Sequence, residues 1–462
     1  MAETPVQPST ALTWRIAPAT AMVGLGEQSQ TQVRLVSFSI VGFLLGFYAM
    51  HNQWLQLGWM TACMVAVLAT EARCLFWEAW RTDRWMQGVG MIFLLGMARS
   101  SLLDSPGMTF SSFLSGWLGS LLLLLTLSQL WQVGKQPRSP SWMGITLVFS
   151  ATLTAVTSYV IFSLLADGSS IGMPLKNWFV YGGWNTVCTG MTFGFASLWA
   201  SFRWRESAAT SARWKNLAWL LATMVLIFAT LQTLSRGALM ALVVAHVAWL
   251  LPQGWRAGWR PMALLIACMA CFQLSAPILS RLATEEVAAD LGVTAETVKS
   301  QIQDFGVIPP NPAMRALERG DNGRFAIYTA ALSSMTTWQD WLLGKGLWAS
   351  NDAWSCSLWW YPEHLHSVFM DAVVRGGVAA LLGILCITYW GLKRAWLLAV
   401  EGESLWFVLA CFGTSGLIFD GDSLFTLLSV PRFEPLLYWM PLVIASARFE
   451  ACRTVSSQRL FS

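Results

Sequence analysis

The sequence predicts an all-α, polytopic membrane protein of about twelve spanning helices, with one long outer loop between the ninth and the tenth. Three observations carry that prediction. Of 462 residues, 55% are hydrophobic and 12% are charged, against roughly a quarter charged in an average soluble domain, which excludes an ordinary water-soluble enzyme. Apolar runs long enough to cross roughly 30 Å of hydrocarbon as helices recur along most of the chain. The 28 tryptophans suit the headgroup level, where an amphipathic indole keeps one edge in water.

Taken in chain order, residues 1–33 are polar and contain proline, with no compact apolar run ahead of a small-residue cleavage site, and read as a tail rather than a signal peptide. Residues 34–279 hold nine apolar windows, near 34–50, 54–70, 85–103, 109–131, 143–165, 184–202, 215–233, 236–251 and 261–279. Residues 280–366 form the long loop, with helix-like and Trp-rich stretches. Windows near 367–391, 404–420 and 434–449 complete the second block, 367–449, and 450–462 form a short tail.

Orientation follows from the basic residues of short connections. Arg73, Arg81 and Arg84 follow the second window, Lys135 and Arg138 the fourth, and Arg203, Arg205, Arg213 and Lys215 the sixth. Arg256 and Arg260 follow the eighth, Lys393 and Arg394 the tenth, and Arg448, Arg453 and Arg459 the last. Every even-numbered connection is basic, so both termini are expected in the cytoplasm and the long loop on the opposite face. The formal net charge of +4 points to no partner; its distribution is the informative part.

Eight of the nine cysteines lie in or close to apolar windows, leaving Cys356 alone in the loop, so neither a loop disulfide nor a zinc cluster is expected. Cys268 and Cys271 form a CxxC pair inside an apolar run, where packing is the expected role. Residues 284–304 resemble the helix-turn-helix of bacterial response regulators through the turn at Leu291-Gly292-Val293-Thr294. Charge argues against nucleic acid as a partner. From Arg281 to Asp304, Arg281 and Lys299 stand against Glu285, Glu286, Asp290, Glu296 and Asp304, the wrong balance for neutralising phosphates. A two-helix lid is the expectation.

The residues that carry chemistry gather at the outer boundary. Arg236, in Ser235-Arg236-Gly237-Ala238, stands where the seventh and eighth windows meet. A guanidinium there must pair or reach water, either as a functional group or as a snorkelling side chain. Arg324 in Gly323-Arg324-Phe325 opens a helix running towards Trp338, as a ligand for an anion or as a solvated helix-start residue. His364 and His366 stand two apart just before the tenth window, and imidazole near its ordinary pKa of about 6.5 can take or give a proton at working pH. His51 and His246 lack such company and read as structural. Asp420 and Asp422, in Phe419-Asp420-Gly421-Asp422, fit a divalent-cation pair, a simple turn, or a carboxylate that orients a histidine.

Together these residues resemble the O-antigen ligase and polymerase family of bacterial polysaccharide assembly. The resemblance rests on Ser235-Arg236-Gly237-Ala238 opening a span, Gly323-Arg324-Phe325, Gly344-Lys345-Gly346, His364-Leu365-His366-Ser367 and Gly376-Gly377 leading into a span, in that order around a long outer loop. Ser367 departs from the pattern, since many members carry Asn after the histidine. The resemblance implies a GT-C-like inner-membrane glycosyltransferase with a periplasmic site. It also implies an undecaprenyl-diphosphate-linked glycan as donor, with lipid A-core or another lipid-linked repeat unit as acceptor, and other polysaccharide-assembly proteins as partners. No cofactor or metal is expected, and inversion at the anomeric carbon is inherited with the family. In that setting Arg236 and Arg324 would clamp the diphosphate, His366 would act as general base with His364 in reserve, and Asp420 or Asp422 would orient the imidazole. Trp354, Trp359, Trp360 and Tyr361 would stack on sugars or pack the loop. A rival reading is a transporter or flippase of the same lipid-linked oligosaccharide. Transporters place binding charges near the midplane, however, and most of these windows lack them.

Overall fold

The computed structural model describes residues 44, 48, 53–68, 73–102, 109–136, 141–165, 175–177, 186–210, 213–254, 258–275, 324–349, 364–421, 423–430 and 433–460. The described residues are helical, with no strand among them. In order the helices are α1 (Gln53–Leu68), α2 (Arg73–Thr82), α3 (Arg84–Leu102), α4 (Phe110–Gly134), α5 (Ser141–Leu165), α6 (Thr186–Thr210), α7 (Arg213–Gln232) and α8 (Arg236–Gln253). After α9 (258–275) come α10 (Arg324–Ser333), α11 (Trp338–Leu343), α12 (Val368–Val400), α13 (Ser404–Asp420), α14 (Leu424–Ser429) and α15 (Phe433–Leu460). Among the described residues, four helices are long and apolar enough to cross a membrane: α4, α5 over Trp142–Ile161, α7 and α12. The apolar stretches of α8 and α13 are shorter. This is a membrane protein by composition and helix length. The window at 34–50 lies outside the described residues apart from Leu44 and Tyr48.

Several helices outrun their apolar windows. α6 continues through Arg203, Arg205 and Glu206, and α12 through Lys393 and Arg394, because a helix satisfies its own backbone and need not stop where the hydrocarbon ends. Between the spans, small residues set the spacing. A methyl on Gly134 of α4 would lie 2.8 Å from Ala447 Cβ of α15, and one on Gly194 of α6 would lie 2.9 Å from the Phe412 ring of α13. Without a hydrophobic drive between helices in lipid, such close approach is what packs them.

The connections marked as basic by the sequence meet one another at one end of the bundle. The carboxylate of Asp83, fully buried, accepts from Arg394 at 2.7 Å, from Ser446 Oγ at 2.7 Å and from the Trp131 indole at 2.9 Å. Arg394 also pairs with Glu450 at 3.0 Å, Arg448 pairs with Glu403, and Lys135 pairs with Glu78. Helices α10 and α11, the start of α12 and the end of α13 lie at the other end.

Candidate functional site

The site is built where α8, α12 and α13 begin or end. Arg236 is the first residue of α8. Leu234 turns the chain in the left-handed region at φ 52°, and Ser235 then caps the helix, its side chain accepting from the Ala238 amide at 3.2 Å. Gly190 of α6 seats this corner: a methyl there would lie 2.7 Å from Thr233 Oγ1 and 2.8 Å from Ala238 Cβ. The neighbouring Met191 packs directly over Gly416, in the last turns of α13. Arg236 and the end of α13 are thereby held on the same stretch of α6.

Arg324 is brought to that end directly. Its Nη1 donates to the Phe419 carbonyl at 2.5 Å, placing a cation on the last turn of α13, where the helix dipole is negative. The next residues, Asp420 and Gly421, turn the chain against α12, and a methyl on Gly421 would lie 2.6 Å from Val368 Cγ2 and 2.9 Å from the Val368 amide. Val368 is two residues beyond His366. The structure therefore brings Arg324, the Asp420–Gly421 corner and the histidine segment to one place. The side chain of Asp420 and all of Asp422 lie outside the described residues, as do the expected lid at 284–304 and Trp354, Trp359, Trp360 and Tyr361. Among the described residues no three His, Cys, Asp or Glu side chains group as a metal site.

His364 and His366 face each other, ring centroids 4.2 Å apart at 54°. His366 is half-buried with φ 56°, one of two described non-glycine residues in the left-handed region. A side chain held in that conformation is directed by its backbone, and such positions cluster at functional sites. His246, by contrast, is buried within α8 with Nδ1 2.8 Å from the Leu242 carbonyl. Cys268 faces inward while Cys271 is exposed, both as free thiols.

The two glycine motifs prove to be halves of one joint. α12 bends at Gly377, with φ 70° and ψ −176°, and Gly344 turns in the same region at φ 69°. A methyl on Gly344 would overlap the Arg375 carbonyl, and one on Gly377 would overlap that of Leu342. Two backbone bonds close the joint, from Lys345 N to Val374 O and from Gly346 N to Arg375 O, each at 2.9 Å.

Around the joint lie three residues that sequence reasoning passed over. Asp371 and Arg375, one helical turn apart, pair at 3.0 Å. Arg375 Nη1 also donates to the Leu347 and Ala349 carbonyls at 2.7 Å each, and the second oxygen of Asp371 accepts from the Leu424 amide at 2.6 Å. This latch ties the loop, the helix that follows His366 and the segment that follows Asp420. Arg99, in the last turn of α3, donates from Nε to Leu343 O at 3.0 Å and from Nη2 to Gly344 O. An arginine inside the apolar window 85–103 was a readable signal. The expected helix from Arg324 towards Trp338 breaks after Ser333, because Thr337 and Asp340 form a capping box that starts α11 afresh.

This assembly defines a polytopic helical membrane protein with basic and histidine residues collected at one end. Residues 220–385 match the family model described as O-antigen ligase. No curated protein matches the chain. The matched stretch contains Arg236, Arg324, His364 and His366, while Asp420 lies beyond it. The match supports, in general terms, a glycosyltransferase of the O-antigen ligase or polymerase type, a family whose substrates are lipid-linked glycans.

Proposed function

We propose that the protein works at the periplasmic face of the inner membrane, with both termini cytoplasmic, moving a glycan from an undecaprenyl-diphosphate donor to a sugar hydroxyl. The acceptor sits on lipid A-core for a ligase or on a lipid-linked repeat unit for a polymerase. The observation that carries this reading is the bond from Arg324 to the Phe419 carbonyl beside the corner that packs on the helix following His366. It supports a reading in which an anion-binding group and a proton acceptor share one corner, at the level where a lipid-linked diphosphate would meet water.

In the step inferred, the acceptor oxygen forms a bond to the anomeric carbon as the bond from that carbon to the diphosphate oxygen breaks. A ring nitrogen of His366, or of His364 beside it, takes the hydroxyl proton. The leaving undecaprenyl diphosphate takes the electron pair, and the charge growing on its oxygens is met by Arg236 and Arg324 through paired N–H donors. The Phe419 carbonyl holds the plane of the Arg324 guanidinium, so its fork is oriented before the donor arrives. Asp420 is assigned to orienting the imidazole. The single displacement inverts the anomeric carbon and needs no metal.

Purified protein in detergent, given a defined lipid-linked donor and either lipid A-core or a second lipid-linked unit, tests this directly. Transfer to either acceptor establishes the enzyme and tells ligase from polymerase, because detergent leaves no compartment for a transporter to cross. Arg236→Ala, Arg324→Ala and His366→Ala should each abolish transfer, and Arg236→Lys should also fail. Full activity in His366→Ala would move the base to His364, and inhibition by a chelator would overturn the metal-free reading.

A further inference from the structure

We propose that the apolar stripe of α11 is a membrane-docking surface, seated in the headgroup layer of the leaflet on the site's side of the bilayer. On α11 the large exposed apolar residues share one face. Trp338, Trp341 and Leu342 are spaced i, i+3, i+4 on one face and are 70%, 43% and 46% exposed. Gln339, between them in sequence, is exposed on another face. Two indoles and a leucine open to the surroundings on a two-turn helix are costly in water and suited to the membrane boundary.

The position of α11 says what covers the stripe. Its last carbonyls are held by Arg99, one turn from the end of α3, and its end abuts the α12 bend at Gly377. α3 and α12 lie side by side, since methyls on Gly88 and Gly383 would lie 3.2 Å and 3.3 Å from Ile387 and Ile92 respectively. Both present exposed apolar side chains outward, among them Leu94 and Leu95 on α3 and Leu382 on α12. That belt faces lipid in a membrane protein, and α11 continues it at the level where α3 ends. The occupant is therefore the bilayer itself. The assignment stands apart from the reaction proposed above. Its consequence for any chemistry at this end is that the loop rides at a fixed depth, through the Gly344–Gly377 joint.

The test places photoreactive benzoylphenylalanine at position 338 or 341 of the full chain, reconstituted in phosphatidylethanolamine–phosphatidylglycerol vesicles. The same probe at Leu94 sets the yield of a lipid-facing site, and at Gln339 the yield of a polar face. Mass spectrometry after irradiation should find phospholipid adducts at 338 and 341 near the Leu94 yield and several-fold above Gln339. Adducts mainly to peptides, whether of this chain or a second copy, would overturn the proposal, as would lipid yields no higher than at Gln339. Position 342 repeats the measurement where a tryptophan replacement lowers the amount of folded protein.

Discussion

His366 carries a backbone conformation that costs a non-glycine residue about 1–3 kcal/mol, held by the packing of its neighbours Leu365, Ser367 and Val368, all buried. Glycine adopts it without that cost. His366→Gly should therefore unfold at a higher temperature than His366→Ala, by about 1 kcal/mol of stability, although both lack transfer activity. Equal midpoints in detergent would show that the corner relaxes in either variant. A second expectation concerns the latch. Arg375→Ala leaves Asp371 buried without its partner and should cost about 3–5 kcal/mol, whereas Arg375→Lys keeps a charge and should cost less. Thermal unfolding of the two variants measures the difference. At this scale Arg236 and the histidine pair stood out in the sequence as polar groups bordering apolar runs, and Arg324 as the residue that opens a helix; the roles given to them remain proposals. Arg375 and Asp371 did not stand out. Beyond each other, their partners are backbone groups at Leu347, Ala349 and Leu424, and nothing local announces a bond to a backbone group more than twenty residues away.

Among the elements, α11 shows most clearly how short-range chemistry sets a boundary. The Asp340 carboxyl is held below its ordinary pKa: burial alone would raise it, but hydrogen bonds from Thr337 and Thr336 and the charge of Lys345 outweigh that. The charged form is thus favoured by the folded state, so its stabilisation is present above the unfolded value near pH 4 and is lost as pH falls through the lowered folded value. Amides of α11 should lose protection in acid, after correction for intrinsic exchange rate, and Asp340→Asn should remove that pH dependence. Gly377→Ala tests the joint. A methyl there meets the Leu342 carbonyl, and the φ of 70° is strained for alanine, so the loop should detach and folded yield should fall. The capping box of α11, Thr337-x-x-Asp340, stands in the sequence but was passed over, whereas the four described helices able to cross a membrane follow from apolar length. The extension of α12 to Val400 was hidden, because Arg394 lies past the apolar window and is kept in the helix by Asp83 from another part of the chain.

The molecule as a whole has two polar ends with different work. One end is a closed ionic cluster around Asp83, and the other holds the candidate site. Arg394→Met should lower the unfolding temperature, costing about 3–5 kcal/mol by stranding the buried Asp83, while transfer per folded molecule stays unchanged. Comparing melting curves with specific activity separates the two effects. The alternation of basic connections along the chain anticipated which segments meet at the closed end. The contacts that assemble the opposite end run between segments far apart in sequence, and only the structure supplies them.

The joint between Gly344 and Gly377 also bears on how the protein is made. Synthesis delivers α10 and α11 well before α12, yet the groove that receives Gly344 exists only once α12 is in place, and Arg324 finds the Phe419 carbonyl only after α13 follows. A ribosome-bound intermediate ending before residue 368 would hold its tryptophan-bearing loop against the bilayer with nothing to dock it. The site is therefore among the last parts of the chain to mature, and a protein truncated after α12 would insert most of its helices while lacking the Phe419 carbonyl that holds Arg324.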